Sequence, residues 1–188
     1  RNQGLSIIDQ FVKRIMDIVI SLIGIVIASP FMLVIVLAIK LYDHGPILYK
    51  QERLTKDGQP FMIYKFRSMS VHSEDAGARL AAKGDARVTP VGRVIRAIHF
   101  DELPQLFNVL IGDISLIGPR ALQPCELEGY GDRGLLLSIK SGVTGLAQVS
   151  GRRDISFNER RALDIYYVQN WTPLLDLSIF IRTIIVII

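Results

Sequence analysis

The stretch IMDIVISLIGIVIASPFMLVIVLAIKL, residues 15–41, decides how the rest of the chain is read. It is apolar almost throughout, and it is longer than the about 20 residues a helix needs to cross a bilayer core. Ser29-Pro30 interrupts it near its centre. Proline lacks an amide hydrogen and its ring clashes with the preceding turn, so the helix is expected to kink there. Lys13 and Arg14 precede the stretch and Lys40 follows it. Basic flanks favour the cytoplasmic side of a membrane. Basic residues at both ends therefore predict a helix that enters the membrane, bends at Ser29 and Pro30, and leaves by the same face. An ordinary kinked span is the alternative that these charges leave open.

Around this segment the chain has 188 residues, enough for one domain with its own core. The formal net charge of +4 beside an apolar segment suggests contact with anionic lipid or a phosphorylated substrate. Nucleic acid fits poorly, because the basic residues are dispersed and no basic patch is interleaved with aromatics. Cys125 is the only cysteine, which excludes an internal disulfide and a cysteine-built zinc site. The apolar run is too long for the core of a cleavable signal peptide, and no A-x-A site follows it.

The pattern predicts a mainly α fold with a small β-hairpin, an α+β arrangement. A membrane helix covers about 9–42, so residues 1–42 form the membrane segment and 43–188 a separate domain. Ile47 to Arg53 and Phe61 to Phe66 read as two strands joined through Lys56-Asp57-Gly58. A short helix is expected over 73–82. Thr89-Pro90 caps a helix through Arg96. One helix is expected from about Asp101 to Leu110, with Gly112 beyond its end. Ile117-Gly118-Pro119-Arg120 reads as a loop, and 141–153 as irregular. Ser156-x-x-Glu159 is a capping box that opens a helix to about Gln169. Thr172-Pro173 opens a last, very apolar helix that packs on the core or lies in the membrane interface.

Chemistry concentrates at Asp101-Glu102. Neighbours on a helix point about 100° apart, so the two acids can take different tasks. An aspartate is ionised near neutrality and can attack without a separate base. The plain alternative is that two acids complement a helix N-terminus. Arg67, Arg96, Arg120 and Arg152 stand near glycine or proline, and guanidinium groups bind phosphate bidentately. Each is equally readable as a solvated surface arginine. Lys65 alternates with apolar residues and shares strand parity with Arg67. No Walker-type or dinucleotide-type glycine loop is present. His44, His72 and His99 lack the spacing of a helical metal pair and read as turn, surface and unassigned.

Taken in order, these segments resemble the bacterial sugar transferase family, the monotopic phosphoglycosyl transferases. The resemblance is carried by Lys13-Arg14-x-x-Asp17, Ser29-Pro30, Gly45 to Arg53, Tyr64 to Met69, and Asp101-Glu102-Leu103-Pro104-Gln105-Leu106-Phe107-Asn108-Val109-Leu110. It continues through Gly112 to Arg120, Gly142 to Val149, Ser150-Gly151-Arg152 and Leu163-Asp164-Ile165-Tyr166-Tyr167-Val168, covering nearly the whole chain. The resemblance implies a reaction in which a UDP-sugar gives its sugar-1-phosphate to polyprenyl (undecaprenyl) phosphate and releases UMP. This is the first membrane step of bacterial exopolysaccharide or glycoconjugate assembly. It implies that Asp101 is the nucleophile of a covalent phosphosugar intermediate. It further implies that Asp101 and Glu102 hold an essential magnesium ion (Mg2+), and that Lys65, Arg67, Arg96, Arg120, Arg152 and Asp164 serve as substrate-binding groups. It places the protein in the inner membrane, with a re-entrant helix kinked at Ser29-Pro30, interfacial amphipathic helices and a catalytic domain facing the cytoplasm. It admits a homodimer.

Two departures from the family pattern stand out. Ala121 replaces the second proline of a Pro-Arg-Pro loop, and Phe100 stands where leucine is common. Larger members carry additional N-terminal membrane helices, and the ends at Arg1 and Ile188 suggest a portion of a longer polypeptide. Ser150 to Asp154 and Asn170-Trp171 lean toward the larger members that handle galactose or glucose. Two other readings compete. A non-catalytic membrane-surface scaffold of the same fold predicts an inert Asp101. A glycosyltransferase that leaves UDP usually carries an Asp-x-Asp motif, which is absent here.

Overall fold

The computed structural model describes residues 6–71, 85–127, 131, 133–151 and 155–187. The helix expected at 73–82 lies outside them, as does Arg152.

The first helix, α1 (Ile7–Asp43), is capped by Ser6, whose Oγ accepts the Asp9 amide at 3.1 Å. It ends at His44, whose backbone is left-handed (φ 55°). Pro30 lies inside the helix, yet the helix continues through it. The missing Pro30 amide orphans the Val26 carbonyl, four residues earlier. Ser29 Oγ donates to that oxygen at 2.8 Å. The Ser-Pro pair thus supplies its own repair of the helix.

One face of α1 is in contact along its length, with Gly24 close to Leu106 and Phe31 edge-on to Phe100 in the middle. Near the start, Lys13, Asp17 and Ser21 are buried at four-residue spacing; near the end, Ile35 and Ile39 are. Between and around them Leu22, Ile23, Val26, Ile27, Leu33 and Val34 are exposed.

The hairpin pairs β1 (Leu48–Leu54) with β2 (Pro60–Phe66) antiparallel, in a register that sets Tyr49 opposite Lys65. Its turn uses left-handed Asp57 and Gly58. Helix α2 (Pro90–Ala97) is capped by Thr89 Oγ1, which accepts the Gly92 amide at 2.9 Å.

The helix expected over 101–110 is divided. A tight turn spans Phe100–Glu102, and α3 runs from Gln105 to Ile111. Pro104 cannot donate to the Phe100 carbonyl, so the chain closes i→i+3 bonds instead. Leu103 donates to Phe100, and Phe107 to Pro104.

A second sheet departs from the loop expectation. Strand β3 (Ser115–Ile117) pairs in parallel with β4 (Gly142–Thr144). Each has only three residues, too few to show a period of two. The short helices α4 (Pro124–Leu127), α5 (Arg133–Leu136) and α6 (Leu146–Ser150) precede α7 (Phe157–Gln169), which carries the expected capping box. The last helix, α8 (Pro173–Ile187), leaves Leu174, Leu177, Ile181 and Ile185 exposed.

Two apolar clusters hold the domain. One joins Phe61 and Ile63 of β2 to Val109, Ile114, Tyr167 and Ile179. The other joins Ile35 and Ile39 of α1 to Phe66 and Ile95. Strand β2 feeds both, and Lys65 is mounted on it.

Candidate active site

Strand β2 places Lys65 against the Phe100–Glu102 turn, where its Nζ donates to Glu102 Oε1 at 2.7 Å. Burial alone would raise the Glu102 carboxyl. The charge and hydrogen bond of Lys65 outweigh burial, with His99 and Arg120 adding to them, and hold the group below its ordinary value. Asp101 is shifted the other way. Burial and then the neighbouring Glu102 charge raise it, against Lys65, Arg96 and His99. No described residue donates a hydrogen bond to its carboxylate. The two acids thus divide: Glu102 is fixed by Lys65, and Asp101 keeps its oxygens uncommitted.

The turn is held by Asn108, which is wholly buried on α3. Its Oδ1 accepts the Tyr64 amide at 3.0 Å and its Nδ2 donates to the Met62 carbonyl at 2.8 Å. These are the groups that the free edge of β2 would offer another strand. The Asn108 amide occupies that edge and fixes the start of α3 beside Lys65. Nothing in the residue pattern singles it out, because an asparagine among apolar residues reads as a helix surface position.

Arg120 follows a close backbone approach. A side chain at Gly118 would meet the Lys140 carbonyl at 2.6 Å, and Gly142 donates to the Pro119 carbonyl at 2.8 Å. Beyond it, Ala121 is buried and its carbonyl accepts from Arg53 at 3.1 Å, which ties the backbone where the family's second proline is missing. The Arg120 charge acts on both Glu102 and Asp164. Asp164, on α7, is 1% exposed, and its Oδ2 has no hydrogen-bond partner. Burial raises it to about 7, against Arg160 and Arg120.

Lys65, Arg96, Asp101, Glu102, Arg120 and Asp164 are therefore joined by contact or by charge. His99, left unassigned on sequence, joins them. Its left-handed backbone (φ 58°) opens the turn, and its charge favours the ionised form of both acids. Its place two residues before Asp101 was the available signal. Arg67 does not join. It is buried, and both terminal nitrogens bind the Asp43 carboxylate at the end of α1. Its expected role with substrate is corrected to holding α1, because its charge is already spent.

Lys13, Arg14 and Asp17 are also structural. Lys13 Nζ meets Asp176 at 2.5 Å and Tyr167 at 3.2 Å. Arg14 donates to the Val109 and Leu110 carbonyls at 2.6 and 2.8 Å. Asp17 Oδ1 accepts Ser115 Oγ and the Leu116 amide, each at 2.9 Å. Lys13 is therefore not a free charge flanking a membrane.

Among the described residues no group of three or more His, Cys, Asp or Glu side chains forms a metal cage. Two adjacent carboxylates, one of them unpartnered, suit an ion that keeps water and completes its shell on phosphate oxygens. Magnesium behaves in that way.

A family model described as bacterial sugar transferase matches residues 8–188. The undecaprenyl-phosphate galactose phosphotransferase of Salmonella typhimurium is 43% identical over 190 residues, covering 93% of this chain and 40% of that one. The UDP-N-acetylgalactosamine-undecaprenyl-phosphate N-acetylgalactosaminephosphotransferase of Aeromonas hydrophila is 43% identical, covering 93% of this chain and 43% of that one. The UDP-glucose:undecaprenyl-phosphate glucose-1-phosphate transferase of Caulobacter vibrioides is 40% identical, covering 92% of this chain and 68% of that one. The chain thus spans about two fifths of the first two relatives.

Proposed function

The chain belongs to the bacterial sugar transferase family, and on that premise we propose that it transfers a sugar-1-phosphate from a UDP-sugar to undecaprenyl phosphate. The observation that carries this reading is the division between Asp101 and Glu102: one acid is pinned by Lys65, the other is free of hydrogen-bond donors and surrounded by cations.

Asp101 Oδ attacks the phosphorus that bears the sugar. An oxygen–phosphorus bond forms, the bond to the α-phosphate oxygen breaks, and its electron pair leaves with UMP. An oxygen of undecaprenyl phosphate then attacks the same phosphorus and releases the Asp101 carboxylate. A carboxylate approaching a diphosphate is repelled, and Lys65, Arg96 and Arg120 offset that repulsion. Arg152 is assigned the same task by the resemblance. Magnesium held by Asp101 and Glu102 would supply further neutralisation on the phosphate oxygens. Asp164, a substrate-binding group on the resemblance, lies within the charge field of Arg120. Relatives named for galactose, glucose and N-acetylgalactosamine are nearly equally similar, so overall identity does not select the sugar.

The geometry of α1 supports a re-entrant, monotopic placement in the inner membrane with the domain facing the cytoplasm. Both ends dock on one domain: Asp17 on β3, and Asp43 on Arg67 just after β2. A spanning helix would carry one of these polar contacts across the bilayer. Cysteines placed singly at Gln10 and His44 test this with an impermeant thiol reagent applied outside intact cells. Protection of both is expected, and labelling of one alone returns the spanning reading.

Nucleotide release tests the reaction. Protein, undecaprenyl phosphate, magnesium and a panel of UDP-sugars should yield UMP from a matching donor, and chelation should stop it. UDP would mean transfer of the sugar alone, and no release across the panel would favour the scaffold.

A further inference from the structure

At the start of α1, far along the chain from Asp101, a cavity of about 230 Å³ is lined by Lys13, Arg14, Lys56 and Lys140, with Asp17 and Ser115 among its other walls. It lies at the C-terminal end of α3, beside Gly112, whereas Asp101 and Glu102 precede the N-terminal end of that helix. None of its lining residues is among the groups gathered around Asp101.

The lining carries more positive than negative charge, with Lys13, Arg14, Lys56 and Lys140 against Asp17. Lys13 is neutralised by Asp176. Asp17 directs Oδ1 to Ser115 and Leu116, and nearby Asp113 accepts from Asn108 at 2.9 Å. Arg14, Lys56 and Lys140 then remain with no carboxylate in contact. Lys56 has only a 3.4 Å contact to Gln10 Oε1. Arg14 and Lys140 converge: Arg14 Nη2 and Lys140 Nζ lie 3.3 and 3.5 Å from the same point, where a side chain at Gly112 would begin.

Helix-end carbonyls account for part of this arrangement. Lys140 donates to the Gly112 carbonyl at 2.5 Å, and Arg14 donates to Val109 and Leu110. They do not neutralise it. Burial, then Arg14 and, to a lesser degree, Lys56, hold the Lys140 ammonium below its ordinary value, although Asp17 and Asp113 oppose the shift. Gathering three cations about a cavity costs free energy that an anion would return.

We propose that this cavity is a second anion site, separate from the catalytic pair, and that it takes a phosphate group. Its volume suits a small ligand rather than a whole nucleotide sugar. Arg14 and the lysines match phosphate by fork geometry and by point charge respectively. Exposed Ile7, Ile8 and Phe11 on the same first turns of α1 set the cavity beside apolar surface. A phospholipid headgroup and a free phosphate share the required chemistry.

Thermal melts of the full chain test this. One arm adds inorganic phosphate to protein in neutral detergent, against potassium chloride of equal ionic strength. The other compares nanodiscs of phosphatidylglycerol with nanodiscs of phosphatidylcholine. Stabilisation by phosphate identifies a free anion as the source; stabilisation by phosphatidylglycerol alone identifies the headgroup. In either case Lys56→Gln, which breaks no buried contact, should weaken the response by about tenfold, and Lys140→Met by more. Asp101→Asn should retain it. Absence of stabilisation in both arms overturns the proposal. So does a response that survives in both lysine variants or is lost in Asp101→Asn.

Discussion

Asp17 and Asp101 are the same side chain, one set in the apolar first helix and one in a polar turn, and the fold gives them different partners. Asp17 is 5% exposed and its Oδ1 receives two hydrogen bonds from β3. Asp101 is half-buried, receives no hydrogen bond from a described residue, and is raised by burial and by Glu102. A buried carboxylate with one oxygen held by two donors is an architectural part, because that oxygen is committed to the fold. A half-buried carboxylate with free lone pairs and cations around it is available for chemistry. Residue type alone does not distinguish them; the count of donors does.

Exchanging the two defects gives the largest expected contrast. Asp101→Asn should lower UMP release by about a thousandfold or more, with a melting temperature close to that of the parent. Loss of fold in this variant would collapse the contrast.

Asp164 sharpens the comparison as an intermediate case: buried like Asp17, unpartnered at Oδ2 like Asp101. Its folded value of about 7 lies above the ordinary 3.8, so the folded state holds the proton more tightly than the unfolded chain does. Its contribution is most favourable below about pH 4 and is lost as pH rises toward 7, the reverse of a salt-bridged aspartate. The shift from 3.8 to about 7 corresponds to about 4 kcal/mol at most. Asp164→Asn, which mimics the protonated form, should therefore match the parent near pH 4 and melt higher at pH 8. Melting curves across that range check it. A gap that does not grow with pH would mean that the arginines already neutralise the group.

Asp17→Ala should cost about 3 kcal/mol, because Ser115 Oγ and the Leu116 amide would be left buried without an acceptor. Denaturant unfolding reads the loss. Little loss would show that α1 is held by its apolar contacts instead.

These contrasts follow what could and could not be read along the chain. The long helix, the hairpin, the Thr89 and Ser156 caps and the apolar last helix were legible, because periodicity, turn residues and capping are local signals. The parallel pair β3–β4 was not, since three-residue strands carry no period and their pairing joins residues 27 apart (Ser115 with Gly142). The Asp101-Glu102 pair was visible as residue types, but the division between them rests on Lys65, which arrives from another element. Arg67 was misassigned because a guanidinium beside a phosphate and one beside Asp43 look alike until the fold brings the acid to it. Lys13 was read as a membrane flank for the same reason: its partner, Asp176, is 163 residues away.

Asn108 tests the smallest and most mechanical part of the comparison, the scaffold that keeps Asp101 free. Its amide replaces a missing strand at Tyr64 and Met62 and so registers α3 against β2. Asn108→Ala should cost about 2 kcal/mol, since two backbone groups lose their partner inside the core. A structural role alone would stop there. If the amide also sets the distance between Lys65 and Glu102, that ion pair should loosen, and Asp101 would gain a mobile neighbour. UMP release at saturating donor should then fall about tenfold even at temperatures where the variant is fully folded, because a misplacement of about 1 Å is costly in an oriented site. Asn108→Asp, which keeps Oδ1 for the Tyr64 amide but cannot donate to Met62, should fall between the two. Full activity in folded Asn108→Ala would show that the turn at Phe100–Glu102 holds its own geometry, and that the freedom of Asp101 owes nothing to the edge of β2.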